Sequence, residues 1–190
     1  MVTPTIGISE SGRVTAARSD SGCLRYRLDV IAANPVDVVQ SAGGWLYDRV
    51  MAGWEVRVLL PESCDARALR ILGVGVVDAA SEFLATALSS TSQTLAVSAQ
   101  AFTVDARLRD KVLESLDKRV TEVALWGDEW PLGVNRGLTQ AQHLLSGAAR
   151  RFKGAALAAA GSPCGSVGFT ETLLCGASSS HSDSELIRLT

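Results

Sequence analysis

Between residues 24 and 61 the chain passes from an apolar strand through a polar corner into an amphipathic helix, then into a second strand. "LRYRLDVIA" (24–32) alternates at Leu24, Tyr26 and Leu28 and then becomes continuously apolar, the pattern of a strand covered on both faces. Asn34-Pro35-Val36-Asp37 forms the corner. Val39, Ala42, Leu46 and Val50 then share one helical stripe, with Asp48 and Arg49 placed away from it. Gly53 stops the helix, because glycine tolerates the left-handed position after a last turn. "EVRVLLP" (55–61) follows as a strand. A strand, a crossover helix and another strand of this length specify parallel pairing.

The alternation continues along the chain. "DARALRILG" reads as a short helix closed by Gly73, and "VGVV" (74–77) as a third strand. "SEFLATALSS" reads as a helix, while "TLAVSA" (94–99) fits a strand or a connector equally well. Val104, Leu108, Val112 and Leu116 define an amphipathic helix, and "VTEVALW" (120–126) a strand. Thr139 and Gln142 have the spacing of a capping box opening a last helix, with Leu145, Ala148, Phe152, Ala155 and Ala159 on its buried side. Gly161 and Pro163 would end it. The expectation is a three-layer, Rossmann-like α/β fold: a mostly parallel sheet with helices on both faces. Residues 1–22 and 162–190 lack sustained periodicity, so they are expected to be flexible tails around a single domain at 23–161.

With 190 residues the chain is long enough to bury a substantial core. A net charge of −2 with scattered basic residues argues against nucleic-acid or anionic-membrane partners. Apolar runs such as "ILGVGVVDAA" fall well short of the ~20 residues that span a bilayer. No signal-peptide pattern opens the chain, and Cys23, Cys64, Cys164 and Cys175 are widely spaced without a CxxC. The expected location is the cytoplasm.

In a parallel α/β sheet, ligands bind beyond the carboxyl ends of the strands. Those ends fall at 33–37, 61–64 and 127–130, which makes Asn34, Asp37, Asp128, Glu129 and Trp130 the ligand-binding candidates. Trp126 and Trp130 flank Asp128-Glu129, suggesting an aromatic and acidic lip for a sugar, a cationic group or a protein; a structural rim is the plainer reading. The glycines at 43–44 lie within a helix and make no dinucleotide or phosphate loop. No serine has a G-x-S-x-G context, and Cys64 has no histidine near it in sequence.

The stretch Ala33-Asn34-Pro35-Val36-Asp37-Val38, then Gly43-Gly44, then Gly53-Trp54-Glu55-Val56 before "RVLL" resembles the opening of the LmbE/PIG-L-like N-deacetylases. That family runs A-H-P-D-D-E, then G-G, then G-H-E-V and an apolar strand. "RILGV" (70–74) and "RRFKGAALAAAGS" (150–162) are similar to later parts of its pattern. The resemblance implies hydrolysis of an N-acetyl group by zinc-bound water. Mapped residue by residue, the family's ligand histidine is Asn34, its base is Val36, and only the ligand-type Asp37 is kept. Asparagine is a poor zinc ligand, catalytic zinc needs three protein ligands, and valine cannot take a proton. If a metal is bound, the candidate ligands are Asp37, Asp128 and His143.

The expected function is therefore a non-catalytic domain of this type, without a cofactor, binding a small molecule or a protein partner. Such a protein would hold no stoichiometric zinc and would not deacetylate N-acetyl amino sugars. Asp37 would serve as the helix cap. The alternatives are a metal-dependent N-deacetylase with an atypical site, zinc being its cofactor, and a nucleotide-binding regulatory domain.

Overall fold

The computed structural model describes residues 26–61, 64–78, 94–119, 121–128, 130–131, 134, 138–162, 165–176 and 186–188. Thirteen elements follow in chain order: β1 (Arg27–Ile31), α1 (Pro35–Met51), β2 (Glu55–Leu60), α2 (Arg67–Ile71), β3 (Gly75–Asp78), β4 (Thr94–Ser98), α3 (Ala99–Val104), α4 (Ala106–Lys118), β5 (Glu122–Trp126), β6 (Leu138–Leu144), α5 (Gly147–Ala159), β7 (Thr170–Gly176) and β8 (Leu186–Arg188). They build one eight-stranded sheet in the order β3-β2-β1-β4-β5-β7-β6-β8. The five strands from β3 to β5 are parallel, whereas β7, β6 and β8 join them antiparallel.

Side-chain alternation along the strands feeds two cores. Leu28, Val30, Val56, Val58, Ala96 and Ala124 pack towards α1, α2 and α5. Ile31, Leu59, Leu95, Val97, Val123 and Leu125 face the opposite way, onto Phe102, Leu108 and Val112 of α3 and α4. Helices therefore cover both faces, as the sequence pattern requires. The segment 94–99, open between strand and connector, holds β4, buried along its whole length. "SEFLATALSS" lies outside the described residues.

The C-terminal half departs from expectation. Residues 138–144 are strand β6 rather than the first turns of a helix, and Thr139 pairs across to Cys175 of β7. Ala141, His143 and Leu145 are buried on alternate positions, a period of two that outweighs the local Thr139–Gln142 capping signal. The helix starts later, at Gly147, with the Ser146 hydroxyl accepting from the Ala149 N–H at 3.0 Å. Its buried side is Ala149, Lys153, Ala156 and Leu157, which leaves Phe152 at the surface, stacked on Tyr47. Burial of a lysine is what shifts the face. The expected flexible tail at 162–190 is also corrected: it contributes β8 and the interior strand β7, where Leu173 and Cys175 are buried.

Helix α1 runs close to the sheet because of Gly44. A Cβ there would lie 2.5 Å from Cδ2 of Leu145. Arg49, expected on the outer side of α1, is buried, with its guanidinium 4.5 Å from the Trp54 ring centroid and 5.9 Å from that of Trp45. Tyr26 stacks on Trp54 at 5.1 Å. Two indole faces thus accommodate the cation that the stripe pattern had placed in water.

Ending the chain at residue 161 should abolish cooperative unfolding. It strips β7 from between β5 and β6 and leaves both with unpaired backbone. Thermal denaturation followed by circular dichroism, with gel filtration, checks this; a monomeric species melting at the full-length temperature would refute the placement of β7.

Candidate functional site

The order of the parallel strands reverses between β1 and β4. From β1 the chain moves outward through β2 to β3, and from β4 it moves the other way to β5. The helix after β1 lies on one face of the sheet and the helices after β4 on the other. Departing in opposite directions, they open a crevice at the strand carboxyl ends, the place where α/β folds bind ligands. Asn34, which follows β1, and Gln100, which follows β4, stand on its two sides.

Asn34 is the N-cap of α1, in extended conformation, with Pro35 as the first helical residue. Its Oδ1 accepts from the Asp37 N–H at 2.7 Å, and its Nδ2 donates to Oε1 of Gln100 at 2.9 Å. The cap is thus Asn34, not Asp37. Asparagine is among the best N-caps, and proline fits the first position because its missing N–H would have no helical partner there.

Asp37 sits in the first turn, where its charge complements the helix dipole. Its Oδ1 accepts from the Ser41 hydroxyl at 3.2 Å and its Oδ2 from the Trp126 indole at 2.9 Å. One half-buried carboxylate is thereby fixed between α1 and the end of β5. Gly127 then turns the chain at φ 97°, with the position of a Cβ 3.0 Å from that of Ala99, so only glycine fits.

Asp128 is exposed beyond this turn, and Glu129 lies outside the described residues. Trp130 is buried, donating its indole N–H to the Gly127 carbonyl at 3.1 Å and packing on Phe102. Trp126 is buried too. The expected aromatic lip is therefore part of the interior, and Trp130 presents no ring to a ligand. Ser41 and Gln100 belong to the site without having been marked as site residues in the sequence, and Trp126, expected in the lip, instead meets Asp37. Only Trp126 had a legible signal, since alternation on β5 puts it on the α1 side with Ala124.

His143 is not part of this corner. It is buried on β6, its Nε2 2.9 Å from Oδ2 of Asp48, which also accepts from the Ser146 N–H. Asp48 is eleven residues along α1 from Asp37, roughly 16 Å at the helical rise. Next to His143 across the β6–β7 pair is Glu171, buried against Lys153 with an Nζ–Oε1 distance of 2.5 Å. Glu171 also accepts from the N–H groups of Gly44 and Trp45, and Lys153 donates to the Gln40 carbonyl. Burial pushes the Glu171 carboxyl above its ordinary range, and Lys153 and the two amides oppose that rise.

No group of three His, Cys, Asp or Glu among the described residues could hold a metal. Asp37 is the one described carboxylate in the corner with its position fixed, and Asp128 and His143 are not gathered onto it. The described donor set does not fit the three protein ligands of a catalytic zinc.

No family model matches the chain, and no curated protein matches it in sequence. Solved structures do. The A40926 pseudoaglycone deacetylase Dbv21 aligns at 16% identity with a TM-score of 0.55, covering 83% of this chain and 100% of that one. A teicoplanin-pathway deacetylase in complex with teicoplanin aligns at 13% identity and a TM-score of 0.56, covering 86% and 99%. The chain has the LmbE/PIG-L-type deacetylase fold. A third similar structure, the zinc-inhibited form of teicoplanin deacetylase Orf2, aligns at 12% identity and a TM-score of 0.54, covering 86% of this chain and 98% of that one. It overturns the cofactor-free expectation, since zinc acts on a solved member of this fold. These neighbours are described as deacetylases, so the comparison lends no support to a non-catalytic role. No described helix is long and apolar enough to cross a membrane.

Replacing Lys153 by Met should destabilise the LmbE/PIG-L-type fold by about 3–5 kcal/mol at neutral pH, because Glu171 is left buried without its cation. The pH dependence has a definite sign. A carboxyl raised in the folded state gives stability that is full at acidic pH and is lost as pH rises through the raised value. Losing Lys153 raises it further, so the deficit relative to the unmodified protein should grow from pH 5 to pH 8. Urea midpoints across that range test this, and a pH-independent deficit would contradict it.

Proposed function

We propose that the crevice between β1 and β4 recognises a polar small molecule carrying an N-acyl group. The observation that carries this reading is the switch-point corner itself. Asn34 and Gln100 bridge the crevice, and Asp37 stands beside them, held by Ser41 and Trp126. Polar groups in such a corner are placed to orient a ligand rather than to complete a core. The likeness to deacetylases of glycopeptide pathways supports N-acylated sugars as the ligand class. The wide spacing of the four cysteines supports a cytoplasmic setting.

Metal-assisted hydrolysis of the N-acyl group is the second reading, and the deacetylase neighbours favour it over binding alone. Asp37 is the described residue able to contribute a carboxylate to such a reaction.

Incubation with N-acetylglucosamine, with and without added zinc, separates the two. Binding without acetate release supports recognition alone. Zinc-dependent acetate release that is lost in Asp37→Ala establishes the hydrolase, and neither binding nor release removes the N-acyl reading. Installing Asn34→His and Val36→Asp together should raise zinc affinity in calorimetric titration, since it returns two family-type groups to a corner whose backbone is kept. Unchanged affinity would show that the corner no longer has the deacetylase geometry.

A further inference from the structure

The hydrogen bonds around Asn34 have a fixed polarity, and that polarity propagates to a residue 66 positions away. A main-chain N–H can only donate, so the Asn34 atom 2.7 Å from the Asp37 nitrogen must be oxygen. The atom turned towards Gln100 is therefore the amide nitrogen. A donor needs an acceptor, so the Gln100 atom facing it must be Oε1. The Nε2 of Gln100, with two N–H groups, is left without a hydrogen bond to any described residue, and the second N–H of Asn34 Nδ2 likewise. Each bridge oxygen thus accepts one hydrogen bond, while three of the bridge's four N–H groups have no partner among the described residues. Both oxygens of Asp37 already accept, one from Ser41 and one from Trp126.

We propose that Asn34 and Gln100 form a clamp for a carbonyl oxygen, their free N–H groups donating to the C=O of the ligand's acyl group. The inference rests on the N-acyl reading of the crevice and names the residues that make the distinction. An N-acylated sugar offers this clamp an acceptor that the corresponding free amine, protonated at neutral pH, lacks. Gln100 acts as a specificity residue, contacting the ligand without taking part in bond making. Its position directly after β4 places it across the switch point from the α1 cap, where a ligand entering between the two helices meets both amides.

Two isosteric variants isolate the donors. Gln100→Glu keeps an oxygen to accept from Asn34 Nδ2 and replaces only the free donor. Asn34→Asp keeps the cap on the Asp37 N–H and removes both N–H groups on the other side, the one bonded to Gln100 Oε1 included. The probes are N-acetylglucosamine and glucosamine, titrated into the full chain and followed by NMR, with melting temperatures measured in parallel. The unmodified protein should prefer the acetylated sugar. Gln100→Glu should lower its affinity for that sugar about tenfold, bring the preference towards glucosamine, and leave the melting temperature within a degree or two. Asn34→Asp should shift the preference in the same direction. Unchanged selectivity in both variants would overturn the clamp, as would equal binding of the two sugars by the unmodified protein, and each leaves the crevice as a ligand site. Binding of neither sugar would overturn the N-acyl reading and the clamp with it.

Discussion

The ion pair between Lys153 and Glu171 holds three separate parts of the molecule in register. Glu171 belongs to β7 and Lys153 to α5, and both reach into the middle of α1, where the carboxylate takes the Gly44 and Trp45 N–H groups and the ammonium takes the Gln40 carbonyl. Charge-assisted bonds of this kind are stronger than neutral ones, and inside a core they are screened little by solvent. The contact is possible because Gly43-Gly44 leaves that stretch of the helix bare. A side chain at Gly44 would collide with Leu145 and hold α1 away from the strands. The desolvation penalty on two charges is offset in part by the two amides, the Gln40 carbonyl and the pairing itself, and hydrogen-bonded partners of this kind are what make a buried pair tolerable.

That same anchoring sets the corner. α1 begins at the crevice and is clamped two turns further on, so the direction of its first turn is fixed from both ends. Asn34 then needs only its cap geometry to face Gln100, and Asp37 only its place in the first turn to meet Trp126. A precise polar corner follows from a helix held rigidly at its centre, consistent with the rule that sites are best built on well-supported elements.

The parallel half was legible because its signals are local and redundant. Periodicity and closing glycines agreed along this half, and the described residues from 26 to 77 follow them, with the helix cap at Asn34 rather than the expected Asp37. The antiparallel half was not. β6 reads Leu138-Thr-Gln-Ala-Gln-His-Leu144, with polar residues at its outer positions and a false capping box at its start. In β7 the decisive buried residue is a glutamate, whose burial makes sense only with Lys153 and the α1 amides in place. Lys153 hides its own helix face for the same reason. At the site, Asn34 and Asp37 stood out in the corner, while Gln100 was invisible, since its one informative contact joins distant parts of the chain. Asp128, Trp130 and His143 had suggestive neighbours in sequence, but an exposed turn, a satisfied indole and a pair with Asp48 account for them.

Strand order also dictates a schedule. β7 lies between β5 and β6 in the sheet yet follows both in the chain. While the polypeptide is being made, β5 therefore presents an open hydrogen-bonding edge, and β6 has no neighbour to pair with, until residues 170–176 leave the ribosome. At typical translation rates of about 5–20 residues per second, that interval lasts several seconds. The nascent chain carries Leu125 and Trp126 on that unprotected edge throughout. A late, inserted strand thus leaves the sheet open in its middle until β7 has been made.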